Sequence, residues 1–348
     1  MVNIMSLLLI NEDELRQTIT IAEAIETVKQ AFMASAEGHM NMPGSFSLHL
    51  PDVQGKVNVE GTYFSQSPYY VINIDSHFRK NPDLNLPAEN GVLLVFDAAT
   101  GVPVAVMVDN GYLTNIKIGA AGALAADYLA NHQISKAAVI GASKQAFMQL
   151  KSLTSVRQLE SVWVWDASPL RADNYVRHMV EDHDLNIRIA PSSQAAVEQA
   201  DLVIAAAESE QPVIKAAWLK PGVHITSTAL DHQPVKQNLE PEIWQRADLI
   251  VVDSLKQCIQ MGELYHAQRA GVIRYSDIQG DLSDLISGRT RGRTQADQIT
   301  LADITGLGSH DTALATLALE KALFLGLGQR LEVGIPSQGF GVGVGNLL

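Results

Sequence analysis

Ala137-Ala138-Val139-Ile140-Gly141-Ala142-Ser143-Lys144-Gln145-Ala146 carries the strongest architectural signal in the chain. An apolar strand runs into a turn and then a helix. The start of such a helix offers free N–H groups and a positive dipole end to a pyrophosphate. The usual fingerprint there is G-x-G-x-x-G/A. Gly141 and Ala146 keep its first and last positions, with Ala142 and Gln145 between them. Ser143 stands where the second glycine normally lets backbone approach the phosphates. Its Cβ would crowd the pyrophosphate, although its hydroxyl can donate to a phosphate oxygen. The next strand, Ser161-Val162-Trp163-Val164-Trp165, ends in Asp166. An acid there accepts ribose hydroxyls and repels a 2′-phosphate. No arginine follows directly in Ala167-Ser168-Pro169, so NAD is expected, and NADP less so. The plainer role for Asp166 is a turn residue or helix cap before Pro169.

Downstream, strand candidates recur at Ile187–Ala190, Leu202–Ala206, Val223–Thr226 and Leu249–Val252, separated by helical stretches. This rhythm implies a parallel, doubly wound, Rossmann-like α/β sheet. Upstream the character differs. Residues 12–37 read as one helix, with Leu15, Ile19, Ala24, Ile25, Val28 and Phe32 recurring mostly at three- and four-residue steps. Between Phe46 and Val108 come β-rich pieces such as Tyr69–Ile74 and Val92–Phe96. Asp97-Ala98-Ala99-Thr100-Gly101 signals a hairpin turn into Val104–Met107. Residues 118–130 are rich in Ala and Gly, which lets a helix approach its neighbours closely. A last helix is expected near Asp311, followed by the β-like Leu331-Glu332-Val333. The expected organisation is an α+β substrate-binding and dimerisation domain, 1–128 plus 315–348, with a dinucleotide-binding domain inserted at 129–314. The glycine-rich tail Gly339–Gly345 has little side chain to pack.

The 348 residues carry a formal net charge of −13, which disfavours a nucleic-acid partner. One cysteine, Cys258, rules out an internal disulfide framework and fits a reducing, cytoplasmic compartment. The apolar Met1–Ile10 lacks a basic leader and a small-residue cleavage site, so it reads as a structural lead-in and not a signal peptide. No apolar run reaches the roughly 18 residues of a membrane span. Glu263 and His266 stand three apart on a helical stretch, but without a third ligand nearby no metal is expected.

An ordered series runs along nearly the whole chain. It comprises Asn81-Pro82, Leu86-Pro87, GVLLVFDAATGVPVAVMVDNGYLT from Gly91, Leu219-Lys220-Pro221-Gly222, Ala229-Leu230-Asp231, Met261-Gly262-Glu263-Leu264 and TGLGSHDTALA from Thr305. This series resembles the ornithine cyclodeaminase/mu-crystallin family. The segment Asp109–Thr114 is similar to a subgroup associated with ectoine breakdown. The resemblance implies a homodimer of Rossmann-containing chains that bind NAD(P) and exchange hydride at the α-carbon of an amino acid or its imine. It also implies site residues. Asp231 matches an aspartate beside the substrate amine, and Glu60 a glutamate that can relay a proton. Asn73 falls where the family carries a substrate lysine, and Lys117 where it carries an arginine, with Ile118 following in place of threonine. His49 corresponds to a further substrate arginine. Thr305 and Gly306 match a loop at the nicotinamide end. Thr114, Thr228 and Ala207 line the implied cofactor cleft, Ala207 replacing a threonine.

These substitutions weaken an α-carboxylate clamp, because arginine supplies a bidentate fork and lysine only a point charge. Two functions are therefore carried forward. One is an NAD-dependent oxidoreductase or cyclodeaminase acting on a small amino acid or imine. The other is a non-catalytic dinucleotide- or small-ligand-binding protein of the same fold.

Overall fold

The computed structural model describes residues 3–44, 46–182, 185–228 and 236–335. Asp231 and the glycine-rich tail lie outside them. The chain begins with strand β1 (Asn3–Asn11), helices α1 (Glu12–Leu15) and α2 (Ile21–Ala36), and strands β2 (Met40–Asn41) and β3 (Phe46–Leu50). Then come β4 (Gly55–Phe64), β5 (Tyr69–Phe78), β6 (Glu89–Asp97), β7 (Pro103–Val108) and the long helix α3 (Tyr112–Leu129). Where the periodicity implied one helix over residues 12–37, two form. Thr20 caps the second in a reciprocal box with Glu23, and that local bonding competes with helix continuation.

The first sheet has the order β16-β1-β7-β6-β5-β4-β2, with β3 on β4. Its closing strand β16 (Gln329–Ile335) returns from the far end of the chain to pair antiparallel with β1, Leu331 opposite Leu7. Side chains alternate across this sheet. Val71, Leu93, Val95, Ala105 and Met107 are buried on the inner face, against α2, α3 and α11 (Gly308–Leu325). Helix α11 runs unbroken through residue 315.

The second sheet is built from β8 (Lys136–Ile140), β9 (Ser161–Trp165), β10 (Ile187–Ile189), β11 (Leu202–Ala205), β12 (His224–Ser227), β13 (Leu249–Val252), β14 (Gly280–Asp281) and β15 (Thr300–Asp303). Its order is β10-β9-β8-β11-β12-β15-β13-β14, and every pairing is parallel. Helices α4 (Lys144–Thr154), α5 (Pro169–Asp182), α6 (Ser193–Gln199), α7 (Glu242–Arg246), α8 (Leu255–Met261), α9 (Glu263–Arg269) and α10 (Leu282–Ile286) complete the elements used below. The sheet grows outward in both directions from the β8/β11 pair. In open α/β sheets the crevice at such a reversal, beyond the strand C-termini, is where ligands bind.

Helix α3 ties the two sheets together. Its residues 116–126 are all buried, as expected of a helix stretch with little polar face, while Asp127 is exposed. A Cβ on Gly119 would lie 2.7 Å from the Met148 carbonyl oxygen of α4, so only glycine permits this approach. Among the described residues no helix is long and apolar enough to cross a membrane.

Candidate active site

A cleft of about 750 Å³ opens at the β8/β11 reversal. One wall is the turn after β8. Gly141 adopts φ +101°, and a Cβ there would lie 2.4 Å from both the Ala206 oxygen and the Ala207 nitrogen. Glycine is therefore required for the turn to close on β11. Ser143 caps α4: its hydroxyl accepts the Ala146 N–H at 3.1 Å and lies 3.4 Å from the Ala206 oxygen. The side chain that threatened to crowd a phosphate is thereby turned to the helix end. In a helix's first turn the N–H groups have no carbonyl of their own helix to meet. The cap satisfies that of Ala146, leaving Lys144 and Gln145 beside the cleft.

Asp166 also lines the cleft, at the end of β9. Its carboxylate accepts the Ala142 N–H at 2.9 Å and the Ser168 N–H at 2.7 Å. Arg171, from the first turn of α5, forks onto it at 2.9 and 3.0 Å. Arg171 stands five residues beyond Asp166, one helical turn into α5, so the lack of an arginine directly after the acid did not exclude one at the site. Ala207, Thr228 and Thr114 line the cleft as well, and the Ala207 N–H donates to Asn238 Oδ1 at 2.7 Å. Gly141 and Ala146 lie beneath the wall, and Ala146 is fully buried. These residues fit a dinucleotide: a helix start for the pyrophosphate, a glycine-only turn, and a carboxylate at the ribose position.

The opposite wall is the inner face of β3, β4 and β5. His49, Lys56, Asn58, Asp75 and His77 line it. Deeper along the same strands lies a second set. Glu60 stands opposite Asn73 in register, and a Cβ on Gly308 would approach its Oε2 to 2.7 Å. Burial raises the Glu60 pKa to about 7; Lys117 opposes the rise, while Asp311 and Asp75 add to it. Lys117, on α3, is buried and ion-paired with Asp311 of α11, and Asn73 donates to the same carboxylate oxygen at 3.0 Å. Burial pulls the lysine's pKa down, but Asp311 and Glu60 outweigh it, so the group stays protonated. Thr305 and Gly306 close this end. Asp253 accepts both of their N–H groups, at 2.8 and 2.6 Å, and the Thr305 hydroxyl at 2.8 Å. Gly306 packs on Lys117 at φ +77°, where a Cβ would come within 3.2 Å of the lysine Cε. Neither Asp311 nor Asp253 was singled out from sequence.

The family model described as ornithine cyclodeaminase/mu-crystallin family matches residues 6–324. The chain belongs to that family. It is 36% identical over 316 residues to a protein of Sinorhizobium fredii named as an uncharacterized cyclodeaminase, covering 90% of this chain and 95% of the relative. Among solved structures, it is similar to the Thermococcus litoralis Delta(1)-pyrroline-2-carboxylate reductase in complex with NADH and L-proline. There the TM-score is 0.89, with 29% identity over 93% of this chain and all of the other. An archaeal alanine dehydrogenase dimer with bound NAD matches with a TM-score of 0.88 and 31% identity, over 94% of this chain and 99% of the other.

Within this family frame, the remaining sequence candidates have structural partners. Glu263 is buried and accepts the N–H groups of Asn238 and Leu239, while His266 lies 2.8 Å from the Lys236 carbonyl. The pair thus holds the segment that carries Asn238, which in turn fixes Ala207. Cys258 is buried against Asp253 and Asp303.

Proposed function

We propose that this family member is an NAD-dependent oxidoreductase that interconverts a small amino acid and its imine. One observation carries the reading: a single cleft joins a dinucleotide mouth at the sheet reversal to the polar face of β4 and β5, and two residues inward from its Asn58 on the same face stands Glu60, raised by burial to about pKa 7. Gly141, Ala142, Ser143 and Gln145 cradle the pyrophosphate, and Asp166 receives the adenosine ribose. Thr114, Ala207 and Thr228 line the path toward Thr305 and Gly306. Bound NADH supplies a hydride. Glu60, at about pKa 7, gives a proton to the substrate nitrogen in reduction and takes it back in oxidation, since a general acid–base group works best near the operating pH. Asp231 is assigned to the substrate amine on the family match alone. Lys117 and Asn73 hold Asp311 and so fix the floor beneath Glu60. NAD is the preferred cofactor, because the solved relatives hold NADH or NAD, while at the ribose position the Asp166 carboxylate is already answered by Arg171.

The chain divides at the two sheets, with the second inserted into the first. The outer face of the first sheet carries Val57, Val59, Ile72, Ile74, Val92 and Leu94, all half-buried, beside exposed Phe46 and Leu48. A contiguous apolar face of this kind suits a second copy of the chain.

The test is turnover. Purified protein with NADH and a panel of cyclic imines, and of ketoacids with amines, should consume NADH with at least one member. The same preparation should run in light scattering at twice the 37.7 kDa of the chain. Tight NADH binding with no oxidation across the panel would instead favour the non-catalytic reading, and a monomer mass would refute the dimer.

A further inference from the structure

The acid at the ribose corner of the cleft is already engaged. An ionised carboxylate offers about four acceptor sites. Four donors stand on Asp166. The Ala142 N–H reaches one oxygen at 2.9 Å. The Ser168 N–H, at 2.7 Å, and two guanidinium nitrogens of Arg171, at 2.9 and 3.0 Å, share the other. The two backbone donors follow β8 and β9, so the carboxylate pins both turns together. Its side chain is 6% exposed, whereas that of Arg171 is 52% exposed. Both residues line the cleft. A ribose arriving at this corner therefore meets the guanidinium.

Arg171 has donors to spare. A guanidinium carries five N–H groups in a fixed fork. Nε and Nη2 are turned to Asp166, and Nη1 is left for a ligand. A ribose 2′-hydroxyl can accept one N–H. A 2′-phosphate can accept a pair, the geometry that suits arginine best. The charge balance also differs from that of a lone acid. Exclusion of a 2′-phosphate relies on an unanswered carboxylate, and here a permanent cation lies in contact with it. The next acid along the strand ends, Glu208 after β11, is likewise paired, with Lys236 at 3.5 Å.

We infer that Arg171 reads the 2′ position of the coenzyme and admits a 2′-phosphate beside Asp166, so that the chain binds NADPH as well as NADH. This rests on the dinucleotide reading of the mouth and adds what sets the choice of coenzyme. The two residues divide the work. Asp166 shapes the mouth from beneath, and Arg171 faces the ligand. NADH remains a ligand because the same guanidinium donates to its hydroxyl.

The experiment is calorimetric titration of NADH and of NADPH into wild type, Arg171→Ala and Arg171→Lys, with thermal melts as the check on folding. The exposed arginine can be changed while the backbone bonds to Asp166 stay in place. Wild type should bind the two coenzymes with Kd values within about tenfold of each other, because the acid is neutralised. Arg171→Ala should weaken NADPH by about 10- to 100-fold, the effect of losing charge-assisted hydrogen bonds, and NADH by less than about threefold. Arg171→Lys should recover part of the NADPH affinity, since it keeps the charge without the fork. Added salt should weaken NADPH more than NADH in wild type, because the extra contact is an exposed charge pair. That difference should be lost in Arg171→Ala. A wild type that favours NADH by more than about a hundredfold, as a lone acid would, overturns the assignment and leaves the NADH site standing. So does an Arg171→Ala variant that keeps the wild-type ratio of the two Kd values. A folded wild type that gives heat with neither coenzyme overturns the dinucleotide reading and this one with it.

Discussion

Replacing Glu60 with glutamine should lower turnover by about 10²–10⁴-fold, the usual contribution of a positioned acid–base group, while NADH affinity stays unchanged. The amide keeps the size and polarity of the side chain but cannot exchange a proton. The pH profile carries the signature. With a pKa raised to about 7 by burial, Glu60 is protonated below that pH and charged above it. Reduction of an imine uses the protonated form, so kcat/KM should fall as pH rises through about 7. Oxidation of the amino acid uses the carboxylate, so its rate should rise over the same interval. Both limbs should vanish in Glu60→Gln. A variant that keeps wild-type turnover within about threefold, or keeps the limb near pH 7, removes Glu60 from the chemistry.

Lys117→Met should be the most destabilising single change beneath the cleft, by about 3–5 kcal/mol, because it strands a buried carboxylate without its cation. Asp311 is 1% exposed and, among the described residues, would keep only Asn73 as a donor. The sign of the pH effect follows. Burial already raises the Asp311 pKa above its unfolded value, and losing Lys117, which opposes that rise, raises it further. Its contribution is then favourable below the unfolded pKa and is lost as pH rises through the folded one. The variant should therefore regain stability, relative to wild type, as pH falls and Asp311 takes up a proton. Replacing both partners, Lys117→Met with Asp311→Leu, should recover most of the loss, since an apolar pair of similar volume carries no desolvation cost. Denaturant melts at pH 5 and pH 8 measure all three variants. Equal stability of Lys117→Met and wild type at pH 8 would mean that the ion pair contributes nothing.

The sequence exposed the parallel sheet because β8, β11 and β13 are nearly continuous apolar runs, the mark of strands buried on both faces. It concealed β15, where Thr300-Leu301-Ala302-Asp303 offers only two apolar residues, although this strand sits inside the sheet between β12 and β13. The dinucleotide mouth was legible because its residues are contiguous. Ser143 was read there as an obstruction, and only the backbone geometry shows it capping α4. The Lys117–Asp311 pair joins residues 194 apart, a distance over which no spacing rule operates. The wall opposite the dinucleotide mouth is hidden for a related reason. His49, Lys56 and His77 become neighbours only once the strand register is fixed, and register is set by turns and burial along the whole sheet.

The most direct measurement is a calorimetric titration of NADH into the purified chain. A saturable heat with one site per chain is expected, together with a Gly141→Ala variant that stays folded in its melt or not but in either case gives no such heat, since its Cβ forces the turn away from Ala206 and Ala207. A wild-type protein that releases no heat with NADH across the micromolar range would contradict the account at its root.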